Sequence, residues 1–234
     1  MNNKTWRSKA CLYSGIIAII LMPLAALGSK YGLWDFRMGF NLLLTAVILA
    51  LIGLGIALVY FPRKVYTGDR PSLIGGGSIS LLPIVIAVSV VSQGGGPMIH
   101  DISTDLQNPP SFEAALSQRG EDSNPVQRAA DVGEQQAAGY PDIKTIKTPL
   151  NPTQALARAD AVALELGWEV LAGQRPNHIE AVDTTFWFGF KDDIVIRVLP
   201  DEQGSLVDLR SISRVGKGDM GANAARVATF SEMF

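Results

Sequence analysis

Three long apolar runs fill the first 92 residues of this 234-residue chain, and they constrain the fold more than any other feature. Cys11 to Leu27 is interrupted only by Ser14 and Pro23; Met38 to Phe61 holds the single amide Asn41; Leu73 to Val91 completes the set. A helix rises about 1.5 Å per residue, so about 20 apolar residues cross a hydrocarbon core of roughly 30 Å. None of the three runs contains a charge. Gly53, Gly55 and Gly75 to Gly77 would weaken a water-soluble helix, but small residues let transmembrane helices approach closely, so they mark expected contacts among the spans. The expected organisation is a membrane region over 1–92 with spans at about 11–27, 38–61 and 73–91, a glycine-rich hinge over 93–97, and an exported domain over 98–234.

The cations set the expected orientation, because Lys and Arg flanking a span are retained on the cytoplasmic side. Lys4, Arg7 and Lys9 precede the first run, and Arg63, Lys64 and Arg70 lie between the second and third, whereas Lys30 and Arg37 alone lie on the other side. After the third run no Lys or Arg occurs before Arg119. The N-terminus is therefore expected in the cytoplasm of a multi-pass inner-membrane protein, with the C-terminal domain in the periplasm of a diderm bacterium. The first run also fits a cleaved signal peptide, with cations before a short apolar stretch that ends at Ala26, Leu27 and Gly28. The later spans keep the same orientation in either case.

From Pro97 onward the chain holds 12 of the 20 basic and 20 of the 22 acidic residues, a net charge of −8, and no basic stripe with interleaved aromatics. Phosphate backbones repel such a surface, so nucleic acid is excluded as a partner. Cys11, the one cysteine, starts the first run and reads as a small apolar residue, so no intramolecular disulfide braces the domain.

The pattern of the C-terminal region predicts an α+β fold: an antiparallel sheet of about four strands with helices packed on one face. Met98 to Thr104 suits a strand or strap ended by Pro109 and Pro110, and Ser117 to Tyr140 has the composition of a loop or weak helix. Asn151, Pro152 and Gln154 form a helix start of cap, N1 proline and reciprocal amide, with Leu156, Ala159, Ala163 and Leu166 on its buried stripe and a stop at Gly167. Strands are expected over Trp168 to Ala172, Ile179 to Phe188, Ile194 to Leu199 and Ser205 to Ser213. The intervening turns fall at Gly173 with Pro176, Asp192 with Asp193, and Asp201 with Gly204. Asp219 caps a last helix whose stripe is Asn223, Val227, Phe230 and Phe234. Tyr140, Phe186, Trp187 and Phe188 read as core; an apolar face left open would take a lipid, a quinone or a membrane subunit.

Two groups of residues carry chemical potential. His100, Asp101, Thr104 and Asp105 place an imidazole beside carboxylates, but the offsets match no metal-ligand spacing, so the alternative is a strap tied down by its polar side chains. His178, after Pro176, reads as solvated. Strand alternation puts Asp208, Arg210 and Arg214 on one sheet face; with Arg197 opposite, three guanidiniums would surround one carboxylate and receive a carboxylate or phosphate ligand. The competing reading is a cross-strand ion-pair ladder. Lys217, in the glycine-containing turn before Asp219, extends the candidate anion site to a helix N-terminus, where Asp219 competes for the same amides. No cofactor motif and no serine-hydrolase elbow are present.

Several separated strings resemble the bacterial and plastid family catalogued as domain of unknown function 1499: His100 to Asp105 with Pro109-Pro110, Tyr140 to Ile143, Asp192 to Val198, and Val207 to Gly216 through Asn223, Ala224 and Arg226. The resemblance covers nearly the whole C-terminal region and implies that Ser117 to Tyr140 belongs to the folded domain. It implies an exported location and no particular reaction, and the three-span region resembles only some members. The expected function is a non-enzymatic accessory or ligand-binding protein, its partners the lipid bilayer and a membrane complex or lipid-like ligand. The alternative is an envelope enzyme using Arg197, Asp208, Arg210 and Arg214 on an anionic substrate.

Overall fold

A computed structural model describes residues 5–93, 96–172 and 175–234. Lys4, Gly94 and Gly95 of the expected hinge, and Gly173 of the expected turn, lie outside the described residues. The chain divides into two compact units, one built on the first three helices and including Phe186–Gly189, the other holding the remaining described residues from Gly96 on.

In the first unit, α1 (Trp6–Lys30), α2 (Phe36–Tyr60) and α3 (Arg70–Gln93) are each long and apolar enough to cross a membrane. Their packing is inside out by the standard of water-soluble bundles. The buried positions are small, among them Cys11, Gly15, Ala18, Ala46, Ala50 and Gly53, while Ile17, Ile20, Leu44, Ile48 and Leu51 face outward. Lipid tails are as apolar as leucine, so close backbone approach rather than exclusion of large side chains holds such helices together. A Cβ added to Gly76 would lie 2.6 Å from the Cys11 carbonyl oxygen, and one on Gly53 would lie 2.5 Å from Ser80 Oγ. Gly77 likewise meets Ala57, at 2.9 Å. Gly55 departs from the expectation: nothing stands within 4 Å of its Cβ direction.

One end of the three helices is tied by Asp69. Its carboxylate accepts Thr5 N–H (3.0 Å), Thr5 Oγ1 (2.7 Å) and Ser8 Oγ (2.8 Å), so the loop before α3 caps α1. The same end carries Arg7 over Trp6 and Tyr60, Arg63 over Tyr60, and Arg70 over Phe61, the cation–aromatic pairing common where a helix leaves hydrocarbon for headgroups.

The second unit is an α+β domain on a six-stranded antiparallel sheet in the order β1-β6-β5-β4-β3, with β2 also pairing β6. Its strands are β1 (Asp101–Ser103), β2 (Ile146–Thr148), β3 (Glu169–Val170), β4 (His178–Thr184), β5 (Lys191–Asp201) and β6 (Gly204–Ser213). Three helices accompany them: α4 (Val132–Gly139), α5 (Pro152–Glu165) and α6 (Ala222–Met233). The capping box of α5 forms as its sequence predicts: Asn151 Oδ1 accepts Gln154 N–H at 3.0 Å and Gln154 Oε1 accepts Asn151 N–H at 3.3 Å. Gly167, at φ +78°, ends that helix. Helices α5 and α6 cover one sheet face, burying Ala159, Val162, Val227 and Phe230 against Ile179, Ile194, Ile196, Val207 and Leu209.

Two expectations are corrected. Asp192 and Asp193 are buried within β5 rather than exposed in a turn, because each has an arginine partner. The turn lies earlier, so Phe186, Trp187 and Phe188 cap the β4–β5 hairpin instead of filling a strand, and Phe186 and Trp187 stay exposed. Two short segments, β1 within the expected Met98 to Thr104 strand or strap and β2, join the expected antiparallel sheet by pairing with β6.

Replacing Gly76 with Val is expected to lower the thermal stability of the detergent-solubilised protein by about 1–3 kcal/mol through overpacking, while Gly55→Ala leaves the unfolding midpoint unchanged. Parallel melts followed by size-exclusion chromatography check this pair.

Candidate functional site

Alternation along β5 and β6 puts Asp193, Val195 and Arg197 with Asp208, Arg210, Ile212 and Arg214 on the sheet face opposite α5 and α6. Residues 104–126, a segment with one short 3₁₀ turn over Ala114–Gln118, lie over this face. An apolar patch of Phe112, Ala115, Leu171, Val182, Val195 and Ile212 joins segment to sheet. The remaining attachments are hydrogen bonds and ion pairs.

Arg210 is the hub. Its Nε and Nη2 donate to the two carboxylate oxygens of Asp101 at 2.9 and 2.8 Å, while Nη1 and Nη2 also donate to the carbonyls of Pro110 (3.2 Å) and Val126 (2.6 Å). Its guanidinium lies over the Phe112 ring, 5.2 Å from the centroid. Arg214 donates to Asp193 from Nε (3.0 Å) and Nη2 (2.6 Å) and to the Gln118 carbonyl (2.9 Å), and Arg119 shares the same carboxylate. On the neighbouring strand, Glu180 accepts the N–H groups of Glu113 (2.8 Å) and Ala115 (2.9 Å). A fixed planar fork suits this work: one guanidinium satisfies a carboxylate and two carbonyls that an irregular segment would otherwise leave bare.

Arg197 stands directly opposite Asp208 in the register, as its candidate role requires. It bridges Asp208 (2.8 Å) and Asp105 (2.9 Å). Asp208 thus meets one guanidinium, not three; Arg210 pairs with Asp101, and Arg214 shares Asp193 with Arg119, so the ladder is buried and its charges are paired internally. Asp208 also accepts the hydroxyls of Thr104 (3.1 Å) and Thr145 (2.6 Å). Thr104 pairs with β6 at Leu209 through both its N–H and its Oγ1, each at 2.9 Å. Asp105 accepts Gln107 and Asn108 N–H at 3.0 Å each. Burial pushes its carboxyl up, but these amides and Arg197 outweigh that, leaving it below the ordinary carboxylate value.

His100 and Lys217 come together differently: His100 Nδ1 lies 3.2 Å from the Lys217 carbonyl, and the Lys217 side chain is exposed. His100 is partly exposed and is not part of the ladder. At the start of α6, Asp219 accepts Gly221 N–H (2.9 Å) and Asn223 N–H (2.8 Å), so a carboxylate already sits on the amides considered for an anion. His178 begins β4, with Nδ1 2.9 Å from the Pro176 carbonyl. Among the described residues no group of three or more His, Cys, Asp or Glu is placed to hold a metal ion.

Beside the Arg197–Asp208 pair an open groove of about 360 Å³ is lined by Thr104, Asp105, Tyr140, Ile143, Lys144 and Thr145. Burial, with the Asp219 charge adding to it, raises the Tyr140 phenol above its usual value, so it stays a neutral donor at physiological pH.

A second arginine centre on the helix face escaped the sequence reading. Arg226 of α6 donates to Asp183 (2.7 Å) and Asp192 (2.7 Å) and to Asn223 Oδ1 (2.6 Å). Asn223 in turn donates to Ser213 Oγ (2.8 Å) and accepts Ser211 Oγ (2.5 Å). Asp183 and Asp192 face each other across β4 and β5, and that pairing of like charges was the available signal that a cation must lie between them.

Fold and site define a class: an apolar three-helix region followed by an acidic antiparallel α+β domain in which Arg197, Arg210, Arg214 and Arg226 are paired with internal carboxylates. The chain belongs to the family described as Protein of unknown function (DUF1499), whose model matches residues 101–234, more than half of its length. No curated protein matches the chain.

Arg210→Ala is expected to cost about 3–5 kcal/mol of domain stability, because it leaves Asp101 buried and unpaired; the pair Asp101→Leu with Arg210→Met recovers much of the loss. Urea unfolding of both variants beside the wild type measures it. Asp105, whose carboxyl ordinarily titrates near 3.8, contributes stability that is full above that value and disappears as the pH falls through its lowered folded value. Asp105→Asn should therefore make the acid limb of stability shallower, read from urea midpoints between neutral and acid pH.

Proposed function

We propose that this chain is a membrane-anchored, non-enzymatic accessory or ligand-binding protein of the bacterial envelope, whose C-terminal domain contacts a membrane complex or an envelope component. The observation that carries this reading is the saturation of the ladder: Arg197, Arg210 and Arg214 are each consumed by a carboxylate of the domain itself. Guanidiniums so engaged hold the 104–126 segment in one shape. They do not present free charge to an anionic substrate, and this weighs against the enzymatic alternative.

What the domain offers outward is the groove beside that ladder, with a lysine, a phenol, a carboxylate and apolar Ile143. Polar groups interspersed with apolar ones suit recognition of a ligand or a partner segment.

In this reading the three helices cross the inner membrane with the N-terminus in the cytoplasm, and the domain stands in the periplasm. The cationic, aromatic end made by Arg7, Arg63 and Arg70 supports that direction. A periplasm-active reporter fused after Phe234 is expected to be active; a well-expressed but silent fusion reverses the orientation. Purification in mild detergent followed by mass spectrometry is expected to recover a stoichiometric protein or lipid. A lone monomer without either refutes the accessory role.

A further inference from the structure

We infer that the β4–β5 hairpin tip is a lipid contact, its Phe186 and Trp187 rings seated at the headgroup boundary of the bilayer. Among the described residues from Gly96 on, these two are the exposed aromatic side chains, at 71% and 55% exposure, while the other large apolar side chains exposed there belong to Met and Leu. They pack edge to face with centroids 5.2 Å apart, so they form one apolar knob.

The backbone beneath the knob is fixed. Thr185 N–H donates to the Phe190 carbonyl at 2.8 Å, Phe190 N–H donates to Thr185 Oγ1 at 2.9 Å, and Gly189 takes φ +70° to close the turn. Presenting the rings therefore costs little ordering on contact. Thr184 to Phe190 carry no charge, and the nearest acid, Asp183, is held by Arg226. A domain of net charge −8 gains nothing from anionic headgroups, so its contact with lipid has to be apolar, and indole and phenyl rings favour the headgroup boundary.

Chain length selects the bilayer over a diffusing protein partner. Helix α3 ends at Gln93 and β1 begins at Asp101; eight residue steps at about 3.3–3.6 Å each span less than about 30 Å fully extended. If α3 crosses a membrane, the domain never leaves the vicinity of lipid. Two rings that would hold a free domain only marginally then act as an intramolecular second anchor. The contact uses neither the groove nor the ladder, so it stands or falls separately from the reading of the groove.

The test uses the full chain in phosphatidylcholine nanodiscs whose acyl chains are brominated either near the headgroup or near the chain end. Subtracting the emission of Trp187→Phe from that of the wild type cancels Trp6, Trp34 and Trp168 and leaves Trp187. The expected difference spectrum is shifted to the blue, loses intensity in brominated discs, loses most with bromine near the headgroup, and does not change with salt. An unshifted, unquenched spectrum places the tip in water and overturns the inference. A shifted but unquenched one places it against protein and overturns it equally.

Discussion

Arginine 210, clasping Asp101 while supporting two carbonyls and a phenyl ring, is the interaction on which the ladder-side face of the domain depends. Segment 104–126 has almost no regular structure and a small apolar patch, so it has little with which to hold itself down. Its carbonyls need donors, and the sheet supplies them from arginine side chains. Desolvating those guanidiniums is costly, which is why each is matched to a buried carboxylate. The ladder is better understood as a device that selects one arrangement of the segment than as a source of net stability.

The same logic appears on both faces with different geometry. On the segment face, strand residues reach outward to an irregular segment. On the helix face, Arg226 reaches inward from α6 to Asp183 and Asp192, and Asn223 joins Ser211 and Ser213 of β6. The acidic character of the domain is thus partly internal. Several of its carboxylates are buried counter-ions rather than solvated surface, and the groove inherits its shape from them through Thr104, Thr145 and Asp208.

Much of the fold was legible in the chain, and the misreadings share a cause. The three apolar runs, the capping box at Asn151 and the alternation of β6 are local signals, readable within one or two turns of chain. Asp192 and Asp193 look like turn residues because a buried, paired aspartate and a solvated one have the same letter; only partners at Arg226 and Arg214 distinguish them. Mistaking them displaced the turn and put Phe186 to Phe188 on a strand. The candidate residues Arg197, Asp208, Arg210 and Arg214 do share one face of the sheet, since alternation gives faces. Their individual pairing was not legible, because Asp101 and Asp105 lie about a hundred residues away in sequence. Strands β1 and β2 are three residues each and exist only through β6.

The margins of the sheet have a further consequence. The outer strands are two or three residues long, Thr104 continues the pairing of β1 by bonding Leu209 through backbone and hydroxyl, and Gln136 of α4 satisfies both the N–H and the carbonyl of Ser103 with its amide. At the β1 edge, a side chain standing in for a strand covers the backbone groups of Ser103 on which another copy could template itself. For molecules crowded into a two-dimensional layer, that closure guards against the cross-β polymerisation that close quarters would otherwise favour.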